Sequence, residues 1–303
     1  DNARGGGADG RRARVYVSAD AHYSLRKAAM VAGIGRDNVV AIDVDRDGRL
    51  DPAALAAAIA ADRDAGLVPV MVNATAGTTV RGAFDPIDAM ADVCAAHQVW
   101  LHVDGAFGGS LLLSPTSAGR LDGLARADSF TWDAHKLMGV PLVCSALMVR
   151  QRGLLSRHLG ENASYLFQGD GDELNPGTRS LQCGRRNDAV KLWAAWQHFG
   201  DDGWQARIER QLALACGLAD RIEARPSLRL IERPPSLTVC FVADGVASEA
   251  ICARLAAEQR QLIGHANVAG EVVIRAAVVD PSHSEADLDG LLDDIEAAAD
   301  ALR

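Results

Sequence analysis

The sequence predicts an α/β protein: a mostly parallel sheet covered by helices, followed by a small α+β domain at the C-terminal end. Two observations lead there. From Val15 to Val149, short β-branched runs alternate with alanine-rich helical stretches, the order that demands crossovers and parallel pairing. Near-continuous apolar runs such as Val-Pro-Val-Met-Val fit strands buried on both faces.

In order, Arg14–Ser18, Val39–Val44, Val68–Asn73 and Val99–Asp104 read as strands. His22–Gly33, Asp51–Ala65 and Pro86–His97 read as helices, the last with proline at its start. Val140–Val149 reads as a pair of strand pieces around Cys144. The stretch Gln168–Gly177, rich in glycine and acid, has the composition of a loop. Asp188–Ala224 is helical, with a break near Gly200–Gly203, and its Trp193, Trp196 and Trp204 are expected to pack on the core. Arg225-Pro226 and Pro234-Pro235 punctuate a boundary, which divides the chain into residues 1–224 and 225–303. Strand Thr238–Ala243, helix Ser248–Gln259, strand Val272–Val278 and helix Ser284–Leu302 make up the second part. A capping box is expected at Ser282-x-x-Glu285.

Composition narrows the function classes. With 303 residues and 49% hydrophobic content the chain can bury a sizeable core. A net charge of −9 without a basic stripe argues against a nucleic-acid partner. No apolar run reaches membrane-spanning length, and the first residues are no secretory signal. The six cysteines lack metal or disulfide-framework spacing, which suits reduced thiols in a cytoplasm. The chain opens without methionine and runs almost at once into a strand, as a start inside a domain would.

The chemistry concentrates between Val99 and Val149. The run Val-Trp-Leu-His-Val-Asp104 ends in an acid and is followed by the small residues Gly105 and Ala106. Thr-Trp-Asp-Ala-His135-Lys136 comes later, between two further apolar runs. A strand-end aspartate with a later histidine–lysine pair is what a pyridoxal phosphate enzyme requires. The lysine amine condenses with the cofactor aldehyde, and the carboxylate keeps the pyridine nitrogen protonated. Each residue also has a plainer reading. Many α/β strands end in an acid, and most lysines are solvated. Trp132, Leu137, Met138 and Gly139 around Lys136 predict an apolar setting that favours the free amine.

His22 follows the first strand, and either caps a helix or stacks on a ring opposite Ala106. Asn73–Thr79 ends another strand with small and hydroxylated residues, as an ordinary turn or as a hydroxyl contact to ring or substrate. Tyr165 precedes the glycine-rich loop, as a hinge aromatic or as a proton donor to a carbanion. Arg275 sits mid-strand, in a salt bridge or in a bidentate grip on a substrate carboxylate. Gly33-Ile-Gly35 lacks the third glycine of a dinucleotide fingerprint, and there is no phosphate-loop motif. His102-Val-Asp104 would be half of a metal site, but nothing completes it, so no metal is expected.

Together these segments resemble the group II pyridoxal phosphate-dependent decarboxylases, most closely those acting on glutamate and cysteine sulfinate. The resemblance runs through Ala-His22-Tyr-Ser-Leu-Arg-Lys-Ala, Val-Asn-Ala-Thr-Ala-Gly-Thr-Thr79-Val-Arg-Gly-Ala-Phe-Asp-Pro86 and Trp-Leu-His-Val-Asp104-Gly-Ala-Phe-Gly-Gly109. It continues through the Ala127–Ala146 segment, Tyr165-Leu-Phe-Gln and Leu-Gln-Cys-Gly-Arg185, in family order.

The resemblance implies the aspartate aminotransferase-like fold (fold type I), a homodimer, and decarboxylation of an acidic L-amino acid to an amine and carbon dioxide. It also implies the roles. Lys136 bonds to the cofactor, Asp104 pairs with the pyridinium nitrogen, and His22 and Ala106 flank the ring. Thr79 and His135 line the cofactor site, Tyr165 protonates Cα, and Arg275 holds the substrate carboxylate. Aromatic amino acids and diaminobutyrate are alternative substrates. Alternative functions are another pyridoxal phosphate lyase or aminotransferase, and a catalytically inactive dimerising chain of the same fold.

Two departures stand out. Where the resembled enzymes have Asn-Pro, this chain has Asp133-Ala134, and an acid there would repel a phosphate, so Asp133 is given no phosphate role. The resembled enzymes also carry a long further N-terminal region with a phosphate-binding turn. The 303 residues alone are therefore expected to bind the cofactor weakly and turn over poorly.

Overall fold

The computed structural model describes residues 12–161 and 175–303. Its first part alternates β1 (Ala13–Ser18), α1 (Ser24–Val31), β2 (Val39–Ile42), α2 (Pro52–Asp64), β3 (Val68–Thr75), α3 (Ile87–His97) and β4 (Trp100–Gly105). After three short 3-10 turns come β5 (Ser129–Asp133), β6 (Ser145–Val149) and α4 (Leu154–Leu159). These strands form one sheet in the order β2-β1-β3-β4-β5-β6. All neighbours pair in parallel except the edge strand β6, which runs antiparallel to β5. The expected strand pair around Cys144 is therefore a single strand. Residues 140–144 are instead folded back to meet the His135 turn, where the Cys144 amide donates to the His135 ring.

The two faces of this sheet differ. Tyr16, Val72, Ala74, Leu101, Val103 and Phe130 point to one face and join Leu55 and Ile59 of α2 with Ile87, Met90 and Cys94 of α3 in a continuous core. On the other face α1 covers β1 and β2 through Val15, Val17, Ala29 and Val39. Beyond β1 that second face turns polar. The in-register rows Asn73–His102–Ser129 and Thr75–Asp104–Thr131 cross β3, β4 and β5 there.

Helix α5 (Ala189–Glu223) links this sheet to a second one, and Gly200 (φ 64°, ψ −178°) breaks it at the place expected. Its first half packs Trp196 and Phe199, with the buried Trp204, against Ala134, Met138 and Val140 beneath the Lys136 turn. Trp193 does not join them and is 63% exposed, because it lies on the outward side of the helix. β7 (Leu228–Leu230), β8 (Thr238–Ala243), β9 (Gly264–Val268) and β10 (Glu271–Ala277) form an antiparallel sheet in the order β7-β8-β10-β9. Helices α6 (Ser248–Ala257) and α7 (Glu285–Asp300) pack Ile251, Leu255, Leu288, Leu292 and Ile295 with Phe241 and Ile274 of this sheet. The capping box of α7 forms two residues later than expected. Ser284 caps and Asp287 reciprocates, while the Ser282 amide donates to Asp280 instead.

Asp85 closes the end of β3. It is 2% exposed and accepts the amides of Leu50 (2.8 Å) and Thr75 (2.7 Å). Burial, opposed by those two amides, pushes its carboxyl up to about 6. A folded-state value above the unfolded one stabilises the fold fully below about pH 4, and that contribution is lost as pH rises through about 6. The shift corresponds to about 3 kcal/mol. Asp85→Asn abolishes the titration and turns an NH2 group on one amide, so the variant is less stable at low pH. In chemical denaturation its deficit shrinks by up to about 3 kcal/mol between about pH 4 and pH 7. A gap independent of pH contradicts this reading.

Candidate active site

The carboxyl ends of parallel strands are where an α/β sheet opens to ligands, and here the order β2-β1-β3-β4 puts a switch of direction between β1 and β3. A cavity of about 310 Å³ lies at those ends. His22 reaches it from the turn after β1, Thr75, Gly77 and Thr79 from β3 and the turn after it, Asp104 and Ala106 from the end of β4, and Thr131, Asp133 and Lys136 from β5 and the turn after it.

Asp104 is half-buried, and its Oδ1 accepts the Ala106 amide at 3.0 Å, which holds the carboxylate at the strand end. Its second oxygen has no hydrogen-bond partner among the described residues. Gly77 lets the β3 turn close onto the β4 turn. It has φ +91°, and a Cβ there would stand 2.9 Å from the Gly108 nitrogen. The Gly108 amide donates to Ala76 O at 2.9 Å, tying the two turns together.

Lys136 follows β5 and Asp133. Its side chain is 39% exposed, with Nζ 3.2 Å from Asp133 Oδ2. The apolar setting expected for this amine is not what the fold provides. Leu137 and Met138 are buried, but they turn into the core and leave Lys136 to a carboxylate and solvent. Asp133 also lies 3.7 Å from His135 Nε2. His135 is held by Cys144, whose amide lies 3.2 Å from His135 Nδ1, and it stands behind Asp133 rather than lining the cavity. His22 is half-buried, with Nδ1 2.8 Å from Ser24 Oγ and its ring tilted against Tyr23 at 4.2 Å between centroids. Tyr165 lies outside the described residues.

Arg275 stands one contact away. On β10 it faces the large sheet, and its Nε donates to Thr79 O at 2.7 Å. Its neighbours fasten the same turn to the second sheet. Cys240 Sγ donates to Val80 O (3.4 Å), Arg81 Nε to Glu232 (2.7 Å) and Ser236 Oγ to Gly82 O (3.1 Å). Among the described residues no carboxylate lies within ion-pair distance of Arg275, and burial lowers the pKa of its guanidinium.

Sequence reasoning did not single out Thr75 and Thr131 as site residues, and it weighed His102 only as half of a metal site that nothing completes. The signal was present in β5, where Ser-Phe-Thr-Trp-Asp alternates polar and aromatic residues, so that one polar face continues the Asp104 row. Among the described residues no group of three metal-ligating side chains is set to hold an ion.

Residues 10–244 match the family model described as the pyridoxal-dependent decarboxylase conserved domain. The chain belongs to the pyridoxal-dependent decarboxylase family. Among curated members of this family, it is 45% identical over 231 residues to cysteine sulfinic acid decarboxylase of Rattus norvegicus, covering 75% of this chain and 47% of that protein. It is 37% identical over 304 residues to acidic amino acid decarboxylase GADL1 of Homo sapiens, covering 93% of this chain and 58% of that protein. The chain thus spans about half the length of the curated relatives it matches. The crystal structure of mouse CSAD superimposes with a TM-score of 0.93 at 35% identity, over 99% of this chain and 66% of that one. The Oryza sativa TDC structure with PLP and tryptamine gives 0.91 at 32% identity, over 96% of this chain and 63% of that one. The neighbours share the fold of this decarboxylase family, a mostly parallel sheet with covering helices.

The donor set fits the family's cofactor. A primary amine, a carboxylate with one uncommitted oxygen, an imidazole and the small Ala106 surround one cavity, as an aldehyde-bearing pyridine ring needs.

Proposed function

We propose that this protein decarboxylates an acidic L-amino acid to the amine and carbon dioxide with pyridoxal phosphate as cofactor. The single observation that carries the proposal is that Asp104 at the end of β4 and Lys136 on the turn after β5 face one cavity of ring-binding size. When bound, pyridoxal phosphate supplies an aldehyde that captures amines and a protonated ring that accepts the electron pair left by departing carbon dioxide.

The chain's own residues divide the rest of the work. Lys136 Nζ, at the cavity beside Asp133, is the amine that would hold the cofactor and give way to a substrate amine. Asp104, held by the Ala106 amide, keeps a negative charge at the ring nitrogen. His22 and Ala106 would flank the ring and Thr79 would line its site, with His135 behind Asp133 supporting the cavity wall. Arg275, without a carboxylate partner among the described residues, presents its guanidinium for a substrate carboxylate. A bidentate, charge-assisted grip there offsets the cost of its burial. Tyr165 delivers a proton to substrate Cα, which commits the reaction to an amine rather than a keto acid.

The preference for an acidic substrate is supported by the relatives named above, cysteine sulfinic acid decarboxylase and an acidic amino acid decarboxylase. A homodimer is supported by exposed apolar residues where α5 begins. Lys191 Nζ donates to Pro141 O (3.0 Å) and Val143 O (2.7 Å), and Leu142, Val143, Val190 and Trp193 around this contact are all exposed. A cytoplasmic setting is supported by six free cysteines. No helix among the described residues is long and apolar enough to cross a membrane. The two sheets support a division into a cofactor-binding part, residues 1–224, and a small α+β part, residues 225–303.

The test is product analysis with cysteine sulfinate, aspartate, glutamate, tryptophan and 2,4-diaminobutyrate. Amine and carbon dioxide from one of the acidic substrates is the expected result. A keto acid, or turnover confined to the aromatic or basic substrates, contradicts the proposal.

A further inference from the structure

We propose that His102 is a positioning residue for Asp104, held as a neutral Nε2–H imidazole by a one-way hydrogen-bond line from Trp100 through Ser129 to Thr131. The polarity of the line follows from its hydrogen-bond partners and the donor-only indole at its start, whereas its role at Asp104 rests on the cofactor reading above.

The line begins at a group that can only donate. Trp100 Nε1–H gives its proton to Ser129 Oγ at 2.8 Å, and the same oxygen lies 2.8 Å from His102 Nδ1. Ser129 is buried, and Trp100 and His102 are the partners of its hydroxyl among the described residues. With its oxygen already accepting from the indole, the serine proton has one acceptor at hand, His102 Nδ1. The ring proton is thereby placed on Nε2, which donates to Thr131 Oγ1 at 3.3 Å. Thr131 is the cross-strand neighbour of Asp104 and lines the cavity, so its own proton remains to be given on that face.

A charged ring would break this order. Both ring nitrogens would then donate, the buried serine proton would lose its acceptor, and a second cation would compete for the Asp104 carboxylate. Asp104 is the charge acting on His102, and burial holds the imidazole toward its neutral form against that pull. The neutral ring leaves the full charge of Asp104 for the ring nitrogen of the cofactor. The arrangement accounts for polar side chains at alternate positions of β4 and β5, whose opposite face is apolar core.

The test has two arms. Nitrogen-15 NMR of the histidine-labelled protein without cofactor is expected to show one ring, assigned by its loss in His102→Gln, neutral at pH 7. Its Nδ1 should be pyridine-like and its Nε2 pyrrole-like. Trp100→Phe removes the donor that starts the line, and a share of the Nδ1–H tautomer should then appear. A cationic or Nδ1–H ring in the unsubstituted protein, or no change in Trp100→Phe, overturns the polarity.

In the second arm, the protein loaded with pyridoxal phosphate is titrated spectroscopically. His102→Gln should alter the pH profile of the visible cofactor band and lower kcat about tenfold, the scale of losing an outer-shell support, with KM little changed. An unaltered profile overturns the role at Asp104. Absence of any band in the unsubstituted protein instead contradicts the cofactor reading, and the NMR arm still decides the polarity.

Discussion

Lys136→Ala is expected to abolish the visible absorption that pyridoxal phosphate acquires on this protein and to cut decarboxylation roughly a thousandfold or more, the scale of deleting a covalent nucleophile. The fold should survive the change. The amine is part-exposed, and its close partner among the described residues is Asp133 at 3.2 Å. A part-exposed ion pair of this kind is worth only about 0–1 kcal/mol. The buried residues that shape the turn, Ala134, Leu137 and Met138, stay in place. Absorption and circular dichroism measured on the same sample separate the two effects. A variant that folds and keeps both the band and its turnover contradicts the assignment of Lys136.

Asp104→Asn is the second large effect, and its reasoning is electrostatic. The amide oxygen of asparagine still accepts the Ala106 N–H now held at 3.0 Å, so stability should change by less than about 0.5 kcal/mol. What disappears is the negative charge facing the ring nitrogen. Loss of one preorganised charge at a reacting centre costs about 10²–10³-fold in kcat, about 3–4 kcal/mol. The steady-state rate should fall by that factor while cofactor is still captured by Lys136. Loss of less than about threefold, with saturating cofactor, contradicts the pairing.

How legible this was in the chain depended on the kind of signal. Strands β1, β3 and β4 are short β-branched or apolar runs between helices, and their periodicity leaves little choice. The break in α5 was legible because glycine at Gly200 and Gly203 interrupts an alanine-rich helical pattern. β7 and β9 were not. The first has three residues, and Gly264-His-Ala-Asn-Val lacks an apolar run. The α7 cap slipped by two residues because Ser282-x-x-Glu285 and Ser284-x-x-Asp287 fit the same pattern, and only the backbone decides between them. Trp193 was expected inside on hydrophobicity alone, which says nothing about the side of the helix it occupies.

In the site, Asp104, Lys136, His22, Ala106 and Thr79 were legible as strand-end residues, and the fold brings all five to one cavity. Thr75 and Thr131 were hidden because a hydroxyl on a strand looks ordinary until its register is known. Thr75, Asp104 and Thr131 form a row only once β3, β4 and β5 are aligned. The partner of Lys136 was legible only as an oddity, an acid at Asp133, and its ion pair needed three-dimensional placement.

The proposed chemistry requires that Lys136 be the amine that holds the cofactor. Borohydride reduction of the protein with bound pyridoxal phosphate, followed by peptide mapping, answers this directly. A single phosphopyridoxyl group on Lys136 is the predicted result, and a label on any other lysine, or none, contradicts it.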